Sequence, residues 1–302
     1  MPVVHPCGPP WLEQKLGAGE TIIIDGAMGT ELQARDVAMH PQVWSATAAF
    51  SDPEKVQAAH GDYIRAGAQV IIANTFACGR HMLEPAGLGD IVGGLNARAV
   101  QLAGRARDES AQQPVAVAGS ICEWVRADSG WTTSQLRDSF EEQTELLARC
   151  GVDLLVVEMA QHPQHSPMAV AAALQTGLPV WAGLSCRRDG EALVGFDAPH
   201  HPFDAIVASV AGLDIGLISV MHSPIANTRD ALAAVRSQWS GPLGAYPESG
   251  HFKMPDWQFI DIIAPPDLVE EARVWVADGV QVVGGCCGLS VPHIAALKHA
   301  LA

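Results

Sequence analysis

Eight short apolar runs, largely β-branched, recur along the chain, and each is followed by a stretch of helical periodicity. The runs cover residues 21–25, 69–74, 114–120, 152–158, 179–186, 215–221, 242–246 and 280–285. Helical patterns follow at 52–67, 95–107, 133–150, 167–174, 203–211, 227–239, 267–278 and 292–301, the first opened by Asp52 as N-cap with Pro53 behind it. Within each run the apolar residues are continuous rather than alternating, as parallel strands covered on both faces require, and this excludes a sandwich. Eight strand-helix units predict an α/β fold, a single (β/α)8 TIM barrel. A doubly wound sheet is the rival, but no dinucleotide glycine fingerprint follows the first strand. One domain over residues 1–302 is expected, with the Pro-rich start, residues 1–12, as a loose N-terminal segment.

Composition limits the partners. The formal net charge is −15, and neither nucleic acid nor an anionic membrane gains counterion release from an acidic protein, so both are excluded. With 48% hydrophobic residues the chain can bury the large core of a soluble enzyme. Its seven cysteines are scattered and odd in number, which predicts a reducing cytoplasm rather than a disulfide scaffold. No apolar stretch reaches the ~18 residues of a membrane helix, and the start lacks the basic and apolar regions of a signal peptide.

The last predicted strand runs into Val282-Val283-Gly284-Gly285-Cys286-Cys287-Gly288. Adjacent side chains of a strand point to opposite faces, so neighbouring thiols converge only where the strand has just ended, a distortion that flanking glycines permit. Such a pair suits zinc with an open coordination position, and it also fits a vicinal disulfide or two buried structural cysteines. In a TIM barrel, active sites lie at the C-terminal ends of the strands. Those ends carry Asp25, Asn74 with Thr75, Gly119 with Ser120, Glu158, Ser185 with Cys186, Met221 with His222, Tyr246 with Pro247, and Cys286 with Cys287. Asp25 and Glu158 are placed to hold a substrate ammonium. No strand ends in lysine, which weighs against a Schiff-base aldolase.

These residues resemble the homocysteine S-methyltransferase family. The resemblance lies in Asp25-Gly26-Ala27-Met28-Gly29-Thr30-Glu31-Leu32, in Trp44-Ser45, and in His60 to Gly67 leading to Ala73-Asn74-Thr75-Phe76. It continues in Gly119-Ser120, Glu158, Tyr246-Pro247, Ser249-Gly250, and from Ala272-Arg273 through Trp275 to the Gly-Gly-Cys-Cys-Gly stretch. It implies a zinc enzyme of methionine biosynthesis that moves a methyl group from a sulfonium or ammonium donor, such as S-methylmethionine, to the thiol of homocysteine. In that reading Cys286 and Cys287 are the catalytic zinc ligands, and a zinc-bound thiol is deprotonated at neutral pH. Asp25 and Glu158 hold the amino-acid end of homocysteine, and Gly26, Asn74, Thr75, Ser120 and Tyr246 complete the substrate site.

The chain departs from the family at two places. Relatives carry a third zinc cysteine at the end of the sixth strand, where this chain reads Ser219-Val220-Met221-His222-Ser223-Pro224. Thioether is a poor zinc ligand and imidazole a good one, so a set of Cys286, Cys287 and His222 is expected in preference to Met221. Cys78, Cys122, Cys186, His162, His165, His200 and His201 are alternative donors at the same end. Exchanging thiolate for imidazole makes the metal centre more positive and a bound thiolate less nucleophilic, so the alternative function is a non-catalytic or altered-specificity barrel. The second departure replaces the Gly-Pro-Tyr that follows the third strand in relatives with Ile121-Cys122-Glu123-Trp124-Val125-Arg126. Trp124, Trp44 and Tyr246 are then candidates for an aromatic cage around a cationic donor, with ordinary packing as the other reading.

Overall fold

The computed structural model describes residues 6–125, 129–253 and 258–302. Its strands in chain order are β1 (Ile22–Ile23), β2 (Val70–Ile72), β3 (Ala116–Cys122), β4 (Leu154–Ala160), β5 (Val180–Leu184), β6 (Cys186–Asp189) and β7 (Ala192–Gly195). They continue with β8 (Leu217–Pro224), β9 (Leu243–Glu248), β10 (His251–Lys253), β11 (Gln258–Ile260) and β12 (Val282–Val283). Eight of them form one parallel sheet in the order β1-β12-β9-β8-β5-β4-β3-β2, and a parallel bridge from Ile24 to Val70 closes it into the expected barrel. The remaining four make two antiparallel hairpins, β6 with β7 and β10 with β11, which the apolar pattern did not announce.

Burial explains the continuous apolar runs. Every barrel-strand residue except Pro224 and Glu248 is buried. One face of the strands meets the surrounding helices, in a core that includes Val117, Leu155, Ile218, Phe140 and Trp275. The other face fills the barrel with Ile22, Ile24, Val70, Leu154, Trp181, Leu217, Met221 and Val282. Among the described residues, no helix is long and apolar enough to cross a membrane.

The expected loose segment 1–12 is corrected over its described part, residues 1–5 lying outside the described residues. From Cys7 onward the chain stoppers the N-terminal end of the barrel. The helix Pro10–Gly17 has proline in its first turn, where a missing N–H costs nothing, and buries Leu12 and Leu16 against the barrel interior. Trp181 Nε1 donates to the Cys7 carbonyl at 2.7 Å, and Gln281 Nε2 donates to the Leu16 carbonyl at 2.7 Å.

Two irregularities shape the opposite end. The ladder shifts register between Val157 and Ala160 on β4, and between Met221 and Pro224 on β8. Met159 and His222, inside those shifts, adopt positive φ of 55° and 49°. A bulge of this kind re-aims the side chains it contains, and left-handed backbone at non-glycine residues is strain that concentrates at functional sites.

Candidate active site

The two sulfurs are delivered where β12 stops. A Cβ at Gly284 would sit 2.4 Å from Ile24 Cγ2 and 2.7 Å from the Asp25 carbonyl, so only glycine lets this turn lie against the first strand. Cys286 N then donates to the Pro247 carbonyl at 2.7 Å, and Ser249 N to the Cys287 carbonyl at 2.9 Å, tying the turn to the end of β9. Both thiols are buried, and their Sγ atoms lie 3.6 Å apart. All seven cysteines are free, so the pair is not a disulfide.

The bulges bring a carboxylate and an imidazole to the same point. His222 Nδ1 lies 2.9 Å from Cys286 Sγ, and its Nε2 lies 2.7 Å from Glu158 Oε2. The Ser120 hydroxyl donates to the other oxygen, Glu158 Oε1. Ring stacking adds a constraint, with Phe76 tilted against His222 at a centroid separation of 5.3 Å.

The electrostatics follow from this packing. Burial holds the Cys286 thiol well above its ordinary value, so it stays protonated. The Cys286 hydrogen bond, against the effect of burial and with the help of His222, lowers Cys287 to about 6. Burial alone would lower His222, but hydrogen bonds and charge from Cys287 and Glu158 outweigh it and raise the imidazole to about 10. Cys286 is the nearer thiol to His222 and Cys287 the one that ionises, so the three groups share charge as a unit. Burial and the Cys287 charge push Glu248 up to about 8, opposed by His222.

Above the sulfurs opens a cavity of about 340 Å³. Trp44, Phe76, Phe196, Tyr246 and Phe259 supply aromatic walls, and Glu248 with Glu158 the carboxylates. Trp44 is another residue of positive φ, 50°, and its indole lies over Gly29, where a Cβ would approach to 2.6 Å. Burial keeps Tyr246 a neutral hydroxyl by raising it well above its usual value.

The structure sorts the residues expected at the site. Gly26, Asn74, Glu158, Tyr246, His222, Cys286 and Cys287 line the cavity. Asn74 is fixed there by Ser45, whose hydroxyl donates to Asn74 Oδ1 at 3.1 Å while Asn74 Nδ2 donates to the Ser45 carbonyl at 2.8 Å. Thr75 and Ser120 do not reach the cavity. Thr75 Oγ1 accepts from Ser120 N and donates to the Ser120 carbonyl, both at 2.9 Å, and stitches β3 to the end of β2. Asp25 sits just behind the wall, with Oδ2 accepting from Ile72 N at 2.8 Å and Oδ1 without a hydrogen-bond partner. Burial raises its carboxyl well above the usual range, with the Ile72 N–H acting in the opposite direction.

The remaining candidates lie elsewhere. Met221 packs in the barrel interior, and Trp124 packs, partly buried, against the apolar cluster that includes Leu83, Leu95 and Leu102 and does not line the cavity. Arg126 lies outside the described residues. Cys78, Cys122, Cys186, His162, His165, His200 and His201 do not line the cavity. Instead, His162 stacks on His165 and meets His201 edge-on, with centroids 4.1 and 4.2 Å apart. Phe196, Glu248 and Phe259 were not anticipated. The first and last lie in or beside the hairpins, and only Glu248, next to Tyr246-Pro247, carried a signal in the sequence.

The donor set suits zinc. Two thiolates at about 2.3 Å from one tetrahedral ion lie about 3.8 Å apart, close to the 3.6 Å between Cys286 and Cys287 Sγ. The 2.9 Å from Cys286 Sγ to His222 Nδ1 is a hydrogen-bond distance, and the same geometry asks for about 3.6 Å there, a small withdrawal of the ring. Among the described residues no trio of cysteine, histidine and carboxylate sits at ready ligand spacing. Here hydrogen bonds draw Cys286, Cys287 and His222 together, and a bound metal would take the place of those protons.

Comparison with known proteins follows the same line. The profile of the family described as Homocysteine S-methyltransferase matches residues 22–301. The homocysteine S-methyltransferase of Escherichia coli (strain K12) is 29% identical, over 95% of this chain and 97% of that protein. The betaine–homocysteine S-methyltransferase 1 of Mus musculus is 27% identical, over 96% of this chain and 74% of its own length. The crystal structure of the metallated form of the homocysteine methyltransferase MmuM from Escherichia coli matches with a TM-score of 0.78 and 28% identity, over 95% of this chain and 99% of that one.

Proposed function

The chain belongs to the homocysteine S-methyltransferase family, and we propose that it transfers a methyl group from a sulfonium or quaternary ammonium donor to homocysteine, with zinc held by Cys286, Cys287 and His222. The observation that carries this reading is the convergence of two buried thiols and an imidazole beneath an apolar, aromatic cavity. A metallated form of the Escherichia coli relative is in keeping with a metal here. Zinc, when bound, ionises the substrate thiol at neutral pH. The substrate sulfur then forms a bond to the donor methyl carbon as the bond from that carbon to the donor heteroatom breaks. Its electron pair leaves with the heteroatom, giving methionine and a neutral thioether or amine.

The protein's contribution is placement and dryness. An anion and a cation lose their charges as this displacement proceeds, so a low-dielectric cavity favours the transition state over water. Trp44, Phe76, Phe196 and Phe259 supply such walls and offer π faces to a cationic donor. Asp25 and Tyr246 take the amino-acid end of homocysteine. Seven free thiols fit the reducing cytoplasm expected of the sequence.

The experiment is a methionine assay by mass spectrometry with homocysteine and either S-methylmethionine or betaine, with zinc and after chelation. Zinc-dependent methionine from one donor, lost in the double variant Cys286→Ser, Cys287→Ser, is the result expected. Binding of homocysteine without zinc or turnover would overturn it.

A further inference from the structure

We propose that Glu158, anchored by Ser120, is a positioning residue that fixes His222 as a metal ligand through Nδ1. The inference rests on the zinc reading above and goes beyond it, because the same carboxylate was expected to hold the substrate's amino group.

Both oxygens of Glu158 are engaged. Oε1 accepts from the Ser120 hydroxyl and Oε2 faces His222 Nε2 at 2.7 Å, in a setting where Glu158 is only 3% exposed. A carboxylate can only accept, so Nε2 carries the hydrogen of this contact. The other nitrogen, Nδ1, thereby points its lone pair, once its own proton has gone, toward the sulfurs of Cys286 and Cys287. Phe76 packs against the ring and limits its rotation. Metal-bound histidines are oriented in this way by a carboxylate on the far nitrogen, which fixes the tautomer and raises ligand basicity.

The backbone is arranged for the same pairing. Glu158 lies in the β4 register shift beside left-handed Met159, and His222 lies in the β8 shift in left-handed conformation itself. Two strained bulges on different strands therefore converge on one imidazole-carboxylate contact. Strain at both ends of a single contact is what a site retains when the contact has a task. An imidazole must be oriented to offer one nitrogen to a metal, and the Glu158 carboxylate supplies that orientation.

The test is a double-mutant cycle on zinc affinity, read by competition with a chromophoric chelator on the full-length protein. Glu158→Gln keeps the shape and is expected to weaken zinc 10- to 100-fold, the usual effect of losing such a partner. In a His222→Ala background the same substitution is expected to have little further effect. Ser120→Ala, which leaves Glu158 in place but unanchored, is expected to weaken zinc by a smaller factor. The visible spectrum of the cobalt-substituted protein is expected to shift in Glu158→Gln, and unfolding curves check that each variant folds. Unchanged zinc affinity and cobalt spectrum in Glu158→Gln, with a raised KM for homocysteine, would overturn the proposal and return Glu158 to substrate binding. A wild-type protein without zinc affinity would overturn the zinc reading as well, which distinguishes the two failures.

Discussion

The thioether of Met221 occupies the space left by the missing side chain of Gly183: a Cβ there would lie 2.3 Å from Met221 Sδ and 2.9 Å from its Cγ. This relationship keeps the methionine down in the barrel and leaves the bulge that follows to lift His222 toward the sulfurs. Gly183→Ala should therefore overpack the interior and cost about 1–2 kcal/mol, at the low end because methionine can bend away. Urea unfolding measures it. No loss of stability would mean that Met221 has other room.

Asp25 offers an unpartnered, buried Oδ1 next to the cavity wall. A charged hydrogen bond to a substrate ammonium is worth about 1.5–3 kcal/mol, so Asp25→Asn should lower kcat/KM for homocysteine by about 10- to 150-fold. Zinc affinity should stay unchanged, because Asp25 makes no contact with the thiols or His222. Steady-state kinetics together with zinc titration separate the two effects.

Trp44 lines the cavity, held by left-handed backbone over Gly29, and under the proposed function its indole is available to a cationic donor. A desolvated cation–π contact contributes up to about 2 kcal/mol, so Trp44→Ala should raise KM for the donor by up to about 30-fold. A neutral analogue of the donor, tested as an inhibitor, should lose much less affinity in the variant. Equal losses for both would reduce the indole to apolar packing.

The fold was legible because burial on both faces of each strand leaves a continuous apolar run, and a helical period fills each gap. The thiol pair was legible because glycines bracket it. Bulges carry no such mark: nothing in residues 157–160 or 221–224 states that Glu158 and His222 will meet. Thr75 and Ser120 fall near strand ends as expected, but the Thr75 hydroxyl is spent on the Ser120 backbone and the Ser120 hydroxyl on Glu158. Phe196 and Phe259 reach the cavity through hairpins that start and end in ordinary loop residues. The N-terminal segment had a usable signal, Pro10 opening a pattern with Leu12 and Leu16, which the density of prolines obscured.

His60 is fully buried in the helix Pro53–Arg65, and neither ring nitrogen has a hydrogen-bond partner. Burial lowers it to about 3. The unfolded chain, with an ordinary value of about 6.5, takes the proton first, so the stability held by neutral His60 is complete above about pH 6.5 and is lost as pH falls toward 3. Between pH 6.5 and 5 the wild type should lose about 1.5 kcal/mol that His60→Leu does not lose. Urea unfolding at both pH values checks the difference, and parallel losses in the two proteins would refute it.

The central claim is that two sulfurs and one nitrogen of this chain hold a zinc ion which then accepts a substrate sulfur. Zinc-edge X-ray absorption of the loaded protein, with and without homocysteine, counts those neighbours directly. Two sulfurs and one imidazole nitrogen from the protein, rising to three sulfurs with one nitrogen when homocysteine is added, is the predicted result. A shell without nitrogen, or one in which added homocysteine brings no new sulfur, would contradict the account.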